Sequence, residues 1–160
     1  MAQGRRYWLM KSEPRVFSIE DLAQSPKQTT CWDGVRNYQA RNFLRDDARV
    51  GDLVLFHHSN ADPVGVAGIA KVVRAGYPDP FQFDKRNKYF DPKSKPENPT
   101  WITIDVGFVE KFVEIVSLST LKSMPGLEKM VVTQRGSRLS VQPVTPTEWA
   151  QICKMGGVKG

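Results

Sequence analysis

The sequence predicts an α+β fold, a small and partly open β-barrel of five or six strands with short helices around it. Several short apolar segments have the composition of strands. Gly65 and Gly68 interrupt one of them, as bends at the corners of a small barrel do. The strands do not alternate with helices as a doubly wound parallel sheet requires. The 160 residues suit one domain, which we expect to span residues 1–160.

The first half of the chain predicts a strand, two helices and two more strands. Pro14 ends the first strand, because the residue before a proline avoids helical backbone. Ser18, followed by two acids, predicts the N-cap of a helix that Pro26 ends. Asp33-Gly34 is a turn dipeptide. In chain order, these elements are residues 7–11, 18–25, 37–44, 53–56 and 64–73.

The second half opens with a long segment, residues 77–100, that holds five prolines and four phenylalanines or tyrosines besides Tyr77. We expect it to be an ordered surface loop that covers another part of the protein. Further along, Thr145, Pro146 and Glu148 predict a helix start with a capping box, and residues 135–137 predict a turn. The remaining elements are strands at 101–106 and 108–116, a short strand or extended segment at 130–134, and helices at 117–124 and 145–155.

The composition limits the classes of function that this protein can have. The net charge of +6 favours an anionic partner, although a charge of this size can also serve only to keep a small domain soluble. Cys31 and Cys153 lie far apart and have no CxxC spacing, so we expect free thiols and neither metal nor cofactor. No apolar run is long enough for a membrane helix. An enzyme acting on a small molecule or a nucleobase remains an alternative, but neither a nucleophile elbow nor a deaminase zinc signature is present.

Five motifs, in order along the chain, resemble the EVE domain family. They are WLMKSEP at 8–14, CWDGVRNYQARN at 31–42, HSN at 58–60, YPD at 77–79 and RLSVQP at 138–143. The resemblance implies a PUA-like fold and a module without cofactor that reads a modified base, methylated or hydroxymethylated, in DNA or RNA. We expect the base to be held in an aromatic and polar pocket, and the protein to be a monomer.

The two tryptophans nearest these motifs are candidates for the pocket. By resemblance, Trp32 matches a tryptophan of the cage in related base readers, where the ring would stack on a base. The alternative is a core residue that anchors the following helix. Trp101 begins a strand directly after the long loop, and it could equally line the pocket or pack in the core.

Polar residues near the strand ends complete the predicted pocket. Lys11 and Ser12 lie where a strand opens into a loop, and Asn37 can both donate to and accept from a base edge. The alternative for Lys11 and Ser12 is a solvated strand end, and the alternative for Asn37 is a helix cap. His58 and Ser59 match the family motif and either line the pocket or make structural hydrogen bonds.

Arginines and lysines are the candidates for phosphate contacts. Arg138 could make bidentate contacts to a phosphate or a base edge, or could be paired with Asp33 or Glu13. A basic rim that contacts phosphates is predicted at Arg36, Arg41, Lys85 and Arg86, with a solvated surface as the alternative.

The sequence also suggests a location. A vertebrate member of the family carries a basic N-terminal extension that this chain lacks. We therefore expect a bacterial, cytoplasmic protein, or a nuclear one if the source is eukaryotic.

Overall fold

The computed structural model describes residues 5–135 and 138–159, in which six strands form one sheet surrounded by short helices. The strands are β1 (Tyr7–Ser12), β2 (Thr29–Cys31), β3 (Leu53–His58), β4 (Gly65–Pro78), β5 (Ile102–Ser117) and β6 (Val141–Val144). The helices are α1 (Ile19–Gln24), α2 (Tyr38–Asn42), α3 (Leu118–Ser123) and α4 (Pro146–Met155). Single helical turns lie at Pro26–Gln28, Phe43–Asp47, Pro80–Phe83 and Val131–Thr133.

The sheet is mixed and does not close. Its strand order is β2-β5-β4-β3-β1-β6, with β1 and β3 parallel and all other neighbours antiparallel. Bulges interrupt the pairing of β4 with β5, and they bend and twist the two longest strands. Within the described residues, β2 and β6 remain unpaired edges. The partly open barrel with short helices is therefore confirmed.

Two expectations about individual elements were wrong, and the short strands β2 and β6 were not predicted. The two strands predicted at 101–106 and 108–116 are one continuous strand, β5, because the long β4 pairs with it across Gly107. Residues 130–134 form a helical turn whose Met130 and Val132 pack into the core. The three-residue β2 was missed because two of its residues are threonines with no apolar pattern. The predicted turn at 135–137 falls mostly on residues outside those described.

Alternate residues of the central strands fill a core on each face of the sheet. Trp8 and Phe56 point to one face, where α1 and α2 pack, and Leu9 and Leu55 point to the other, where α3 and α4 pack. The chain therefore supports the sheet from both sides, and the strand ends remain available for a site.

The predicted capping box of α4 is confirmed, and the predicted N-cap Ser18 also forms a capping box. The Ser18 hydroxyl accepts from the backbone N–H of Asp21 at 3.0 Å, and the Asp21 carboxylate accepts from the Ser18 N–H at 2.9 Å. Thr145 and Glu148 make the same exchange at α4. Of the helices described, none has the length and apolar character needed to cross a bilayer.

Candidate functional site

A cavity of about 720 Å³ opens between the two edges of the sheet. One wall is the end of β2 with the following turn, residues 32–36. The opposite wall is the end of β1 together with Arg138 and Ser140, which precede β6. The cavity therefore occupies the gap that closure of the barrel would have filled.

A buried carboxylate holds the turn after β2 in place. Asp79 is 1% exposed, and its Oδ2 accepts from the Gly34 N–H and from Arg36 Nη1, each at 3.0 Å. Its Oδ1 accepts from the Phe81 N–H at 2.8 Å and so caps the helical turn Pro80–Phe83. The same side chain thus fixes the cavity wall and the start of the long loop.

The long loop covers part of the cavity mouth, as predicted. Gln82 is fully buried, and its amide bonds to the backbone of Asp79 and Trp101, so the loop is tied down at both ends. Tyr89 packs directly on Gly34: a Cβ there would lie 2.4 Å from the Tyr89 Cζ. Gly34 also has a φ of +80°, so the close approach and the backbone both require glycine.

The lining of the cavity carries more positive than negative side chains: Lys11, Arg36, Lys88 and Arg138 against Glu13 and Asp33. Partial burial lowers the pKa of Lys11. Loss of solvation, with the neighbouring Asp79 carboxylate, raises the pKa of Asp33. The site can therefore attract an anionic ligand and also offer an acceptor to a ligand's N–H groups.

Trp32 serves both the cavity and the core. Trp32 lines the cavity but is only 8% exposed. Its ring packs edge-to-face with the Phe56 ring, and the two ring centroids are 5.3 Å apart. The Trp32 backbone carbonyl also accepts from the Thr103 hydroxyl. Only a small part of the indole is therefore open to a ligand.

Five more of the predicted residues lie beside Trp32 in the cavity wall. They are Lys11, Ser12, Arg36, Ser59 and Arg138. Ser12 Oγ donates to the Phe17 carbonyl at 2.6 Å, and the Ser59 N–H donates to the Ser12 carbonyl at 2.9 Å. Arg138 is exposed, and among the residues that the structure describes it forms no ion pair with Asp33 or Glu13.

Three predicted pocket residues lie outside the cavity wall. Asn37 caps α2, with its side chain accepting from the Ala40 N–H at 3.0 Å. His58 is 5% exposed and accepts from the Ile19 N–H at 3.1 Å, and burial lowers its pKa, which favours the neutral ring that can accept. Trp101 is 6% exposed, and its indole donates to Asp91 at 2.8 Å.

The predicted phosphate rim is divided. Arg36 lines the cavity but is held by Asp79 and by the Tyr89 carbonyl. Arg41 lies on α2, where Nη1 donates to the Thr100 carbonyl at 2.7 Å. Lys85 and Arg86 are exposed on the long loop, outside the cavity wall.

Sequence reasoning left Tyr89 and Asp33 out of the site, although both line it. The signal for Tyr89 was its place among the aromatics of a proline-rich loop. Nothing local distinguishes Lys88 from Lys85, and only the fold separates them.

The sequence matches the model of the EVE domain over residues 6–155. The chain belongs to the EVE domain family. Thymocyte nuclear protein 1 of Homo sapiens is a relative that is 48% identical over 89% of this chain and 70% of its own length. The predicted resemblance is therefore confirmed.

Solved structures of similar proteins share the PUA-like EVE fold. A protein from Pseudomonas putida is 48% identical, with a TM-score of 0.90 over 94% of this chain and 99% of its own. The human THYN1 protein in complex with 5-methylcytosine-containing DNA is 45% identical, with a TM-score of 0.89 over 97% of this chain and 99% of its own.

Proposed function

We propose that this EVE domain reads a modified base in nucleic acid by holding that base in the cavity between the two sheet edges. The observation that carries the proposal is the cavity itself, lined by Trp32, Ser12, Ser59 and four basic side chains. A volume of about 720 Å³ lies within the range of small-molecule sites. The complex of the human relative with 5-methylcytosine-containing DNA supports a methylated base as the ligand.

The chemistry of the wall supports binding rather than reaction. The exposed part of Trp32 supplies an apolar surface, and Ser12, Ser59 and Asp33 supply hydrogen-bonding groups for a base edge. We propose that the protein is not an enzyme. The enzymatic alternative is tested by incubating the protein with methylated oligonucleotides and measuring their nucleoside composition by mass spectrometry, where any altered nucleoside contradicts the proposal.

The location follows from the proposed partner. A reader of nucleic acid works where nucleic acid is, in the cytoplasm of a bacterium or in the nucleus of a eukaryotic cell. Relatives from Pseudomonas and a human relative named as a nuclear protein support these two settings.

The test compares the dissociation constants of oligonucleotides that differ only in one 5-methylcytosine. The wild type should prefer the methylated strand. Trp32→Phe should lower that preference, because a smaller ring covers less of the base, and a base–aromatic stack contributes about 1–3 kcal/mol. Trp32→Ala is a poor probe, since removing so buried a ring costs about 3–5 kcal/mol of stability.

Trp149→Phe is the matched control. Trp149 is 3% exposed in the core on the other side of the sheet, and its indole nitrogen has no hydrogen-bond partner among the described residues. That change should leave the preference intact. The proposed function is contradicted if the wild type binds methylated and plain strands with equal affinity, both for 5-methylcytosine and for other methylated bases.

A further inference from the structure

A row of cations and aromatic rings leads from the cavity mouth to the exposed surface of α2. In order, its members are Lys88, Tyr89, Arg36, Trp101, Tyr38 and Arg41. Arg36 Cζ lies 5.2 Å from the ring centroids of both Tyr89 and Trp101. Trp101 and Tyr38 are stacked with centroids 5.0 Å apart and planes inclined by 24°. We call these six side chains the aromatic–cation row.

The ends of the row differ in their surroundings. Lys88 Nζ lies 5.1 Å from the Tyr89 centroid, and Lys88, Tyr89 and Arg36 all line the cavity. At the far end, Arg41 Cζ lies 5.1 Å from the Tyr38 centroid, on the surface at the start of α2. The row therefore connects the proposed base site with a second position outside it.

Hydrogen bonds within the protein fix the inner members. Arg36 is held by Asp79 and the Tyr89 carbonyl, and Trp101 by Asp91. Arg41 is held by the Thr100 carbonyl. The ring of Tyr38 thus rests on supports that are already ordered, so little conformational entropy is lost when a ligand packs against it.

Tyr38 is the exposed member of the row. Its side chain is 61% exposed, whereas Trp101 beneath it is 6% exposed. Tyr38 lies in the first turn of α2, where the preceding Asn37 caps the helix. A rigidly supported, exposed aromatic ring beside positive charge has the properties of a stacking platform for a nucleic-acid base.

We propose that the Tyr38 ring stacks on a base adjacent to the one in the cavity, on the same strand. This rests on the proposed function, and it adds a second nucleotide position to it. A base inside a continuous duplex is covered on both faces by its neighbours, so we expect the strand to be single-stranded at that nucleotide. The side chains of Arg36 and Arg41 supply positive charge along the phosphates between the two positions.

The experiment uses single-stranded trinucleotides with a central 5-methylcytosine, in which each outer base is replaced in turn by an abasic site. For the wild type, one of the two replacements should weaken binding by about 5- to 160-fold, the loss of one base–aromatic stack. Tyr38→Ala should weaken binding of the intact trinucleotide by a similar factor. The variant should then be insensitive to that abasic site, because the two changes remove the same contact.

Two controls accompany the measurement. Tyr38→Phe keeps the ring and should behave as the wild type does. Val113→Ala changes a side chain that is 77% exposed on β5 and lies outside the row, and it should have no effect on binding. Thermal unfolding of each variant, monitored by circular dichroism, checks that the fold is retained.

The outcomes separate the two proposals. The second nucleotide position is overturned if Tyr38→Ala binds the trinucleotide as tightly as the wild type does. It is also overturned if the effect of Tyr38→Ala is independent of both abasic sites. In either case, a preference of the wild type for the methylated base still supports the cavity. If the wild type shows no preference for any methylated base, the proposed function fails, and this inference fails with it.

Discussion

At the scale of single residues, two adjacent histidines show that a shift of one position along a strand changes the hydrogen bonding of a side chain. His57 and His58 follow each other on β3 and point to opposite faces of the sheet. His58 accepts a hydrogen bond from the Ile19 N–H. His57 is 1% exposed, and neither ring nitrogen has a partner among the described residues. Burial, with the nearby Lys11 charge, lowers the pKa of His57 to about 4.

This lowered pKa predicts that acid destabilises the protein. Between pH 6.5 and pH 4 the unfolded chain binds a proton at His57 and the folded chain does not, so stability falls as the pH falls through that window. The full effect is about 3 kcal/mol. His57→Phe should remove most of this pH dependence, because phenylalanine binds no proton, and the new ring leaves no buried nitrogen unpaired. Urea unfolding at pH 7.5 and pH 4.5 measures the difference.

Some pH dependence should remain in His57→Phe, since burial also lowers the pKa of His58. A fall in the free energy of unfolding as large in the variant as in the wild type would show that His57 is not the titrating group.

At the scale of elements, the turn after β2 determines the shape of the cavity mouth. Gly34 lies in this turn with a φ of +80°, against the Tyr89 ring. Gly51, in the turn before β3, has a φ of +97° and open space where a Cβ would be. Both glycines therefore have a left-handed backbone conformation, but only Gly34 also lies against a side chain, that of Tyr89.

Gly34→Ala should destabilise the protein more than Gly51→Ala does. Each change places a Cβ in a left-handed conformation, which costs about 1–2 kcal/mol. Only the first also displaces Tyr89, and with it one side of the cavity. The free energies of unfolding by urea give the comparison, and binding of a methylated oligonucleotide should weaken only in Gly34→Ala. Equal effects on both measurements would mean that the Tyr89 contact is not required.

At the scale of the whole molecule, we expect the net charge of +6 and the cavity to make separate contributions to the proposed binding. Counterion release makes the affinity for an oligonucleotide fall as salt rises, whereas stacking and hydrogen bonding of a free nucleoside depend little on salt. We expect the wild type to show this contrast.

Lys88→Ala should reduce the slope of log K against log salt by about 0.7 for a single strand, the value for one lost phosphate contact. Lys88 is exposed at the cavity mouth. Lys122→Ala, on α3 at the other face of the sheet, is the matched control and should leave the slope unchanged. The preference for the methylated base should survive both changes, and its loss in Lys88→Ala would place that lysine in base recognition instead.

Much of the local structure could be predicted because its signals lie within a few residues of each other. Ser18 and Asp21, and likewise Thr145 and Glu148, form capping boxes three residues apart. The proline-rich segment was identified as an ordered covering loop, and the glycine-interrupted strand as part of an open barrel. The two strands predicted in place of β5 failed because pairing with β4 overrides a local glycine.

The sequence by itself determined the family, the strands β1, β3 and β4 and the capped helices of this protein. Only the tertiary structure decided which polar residues face the cavity, because its walls come from β2 and from the segment before β6, more than 100 residues apart in the chain. Asn37 and Lys11 are equally polar in sequence, yet one caps a helix and the other lines the cavity. The physical reason is that a side chain's partners are set by strand pairing and burial, and these depend on contacts between residues distant along the chain.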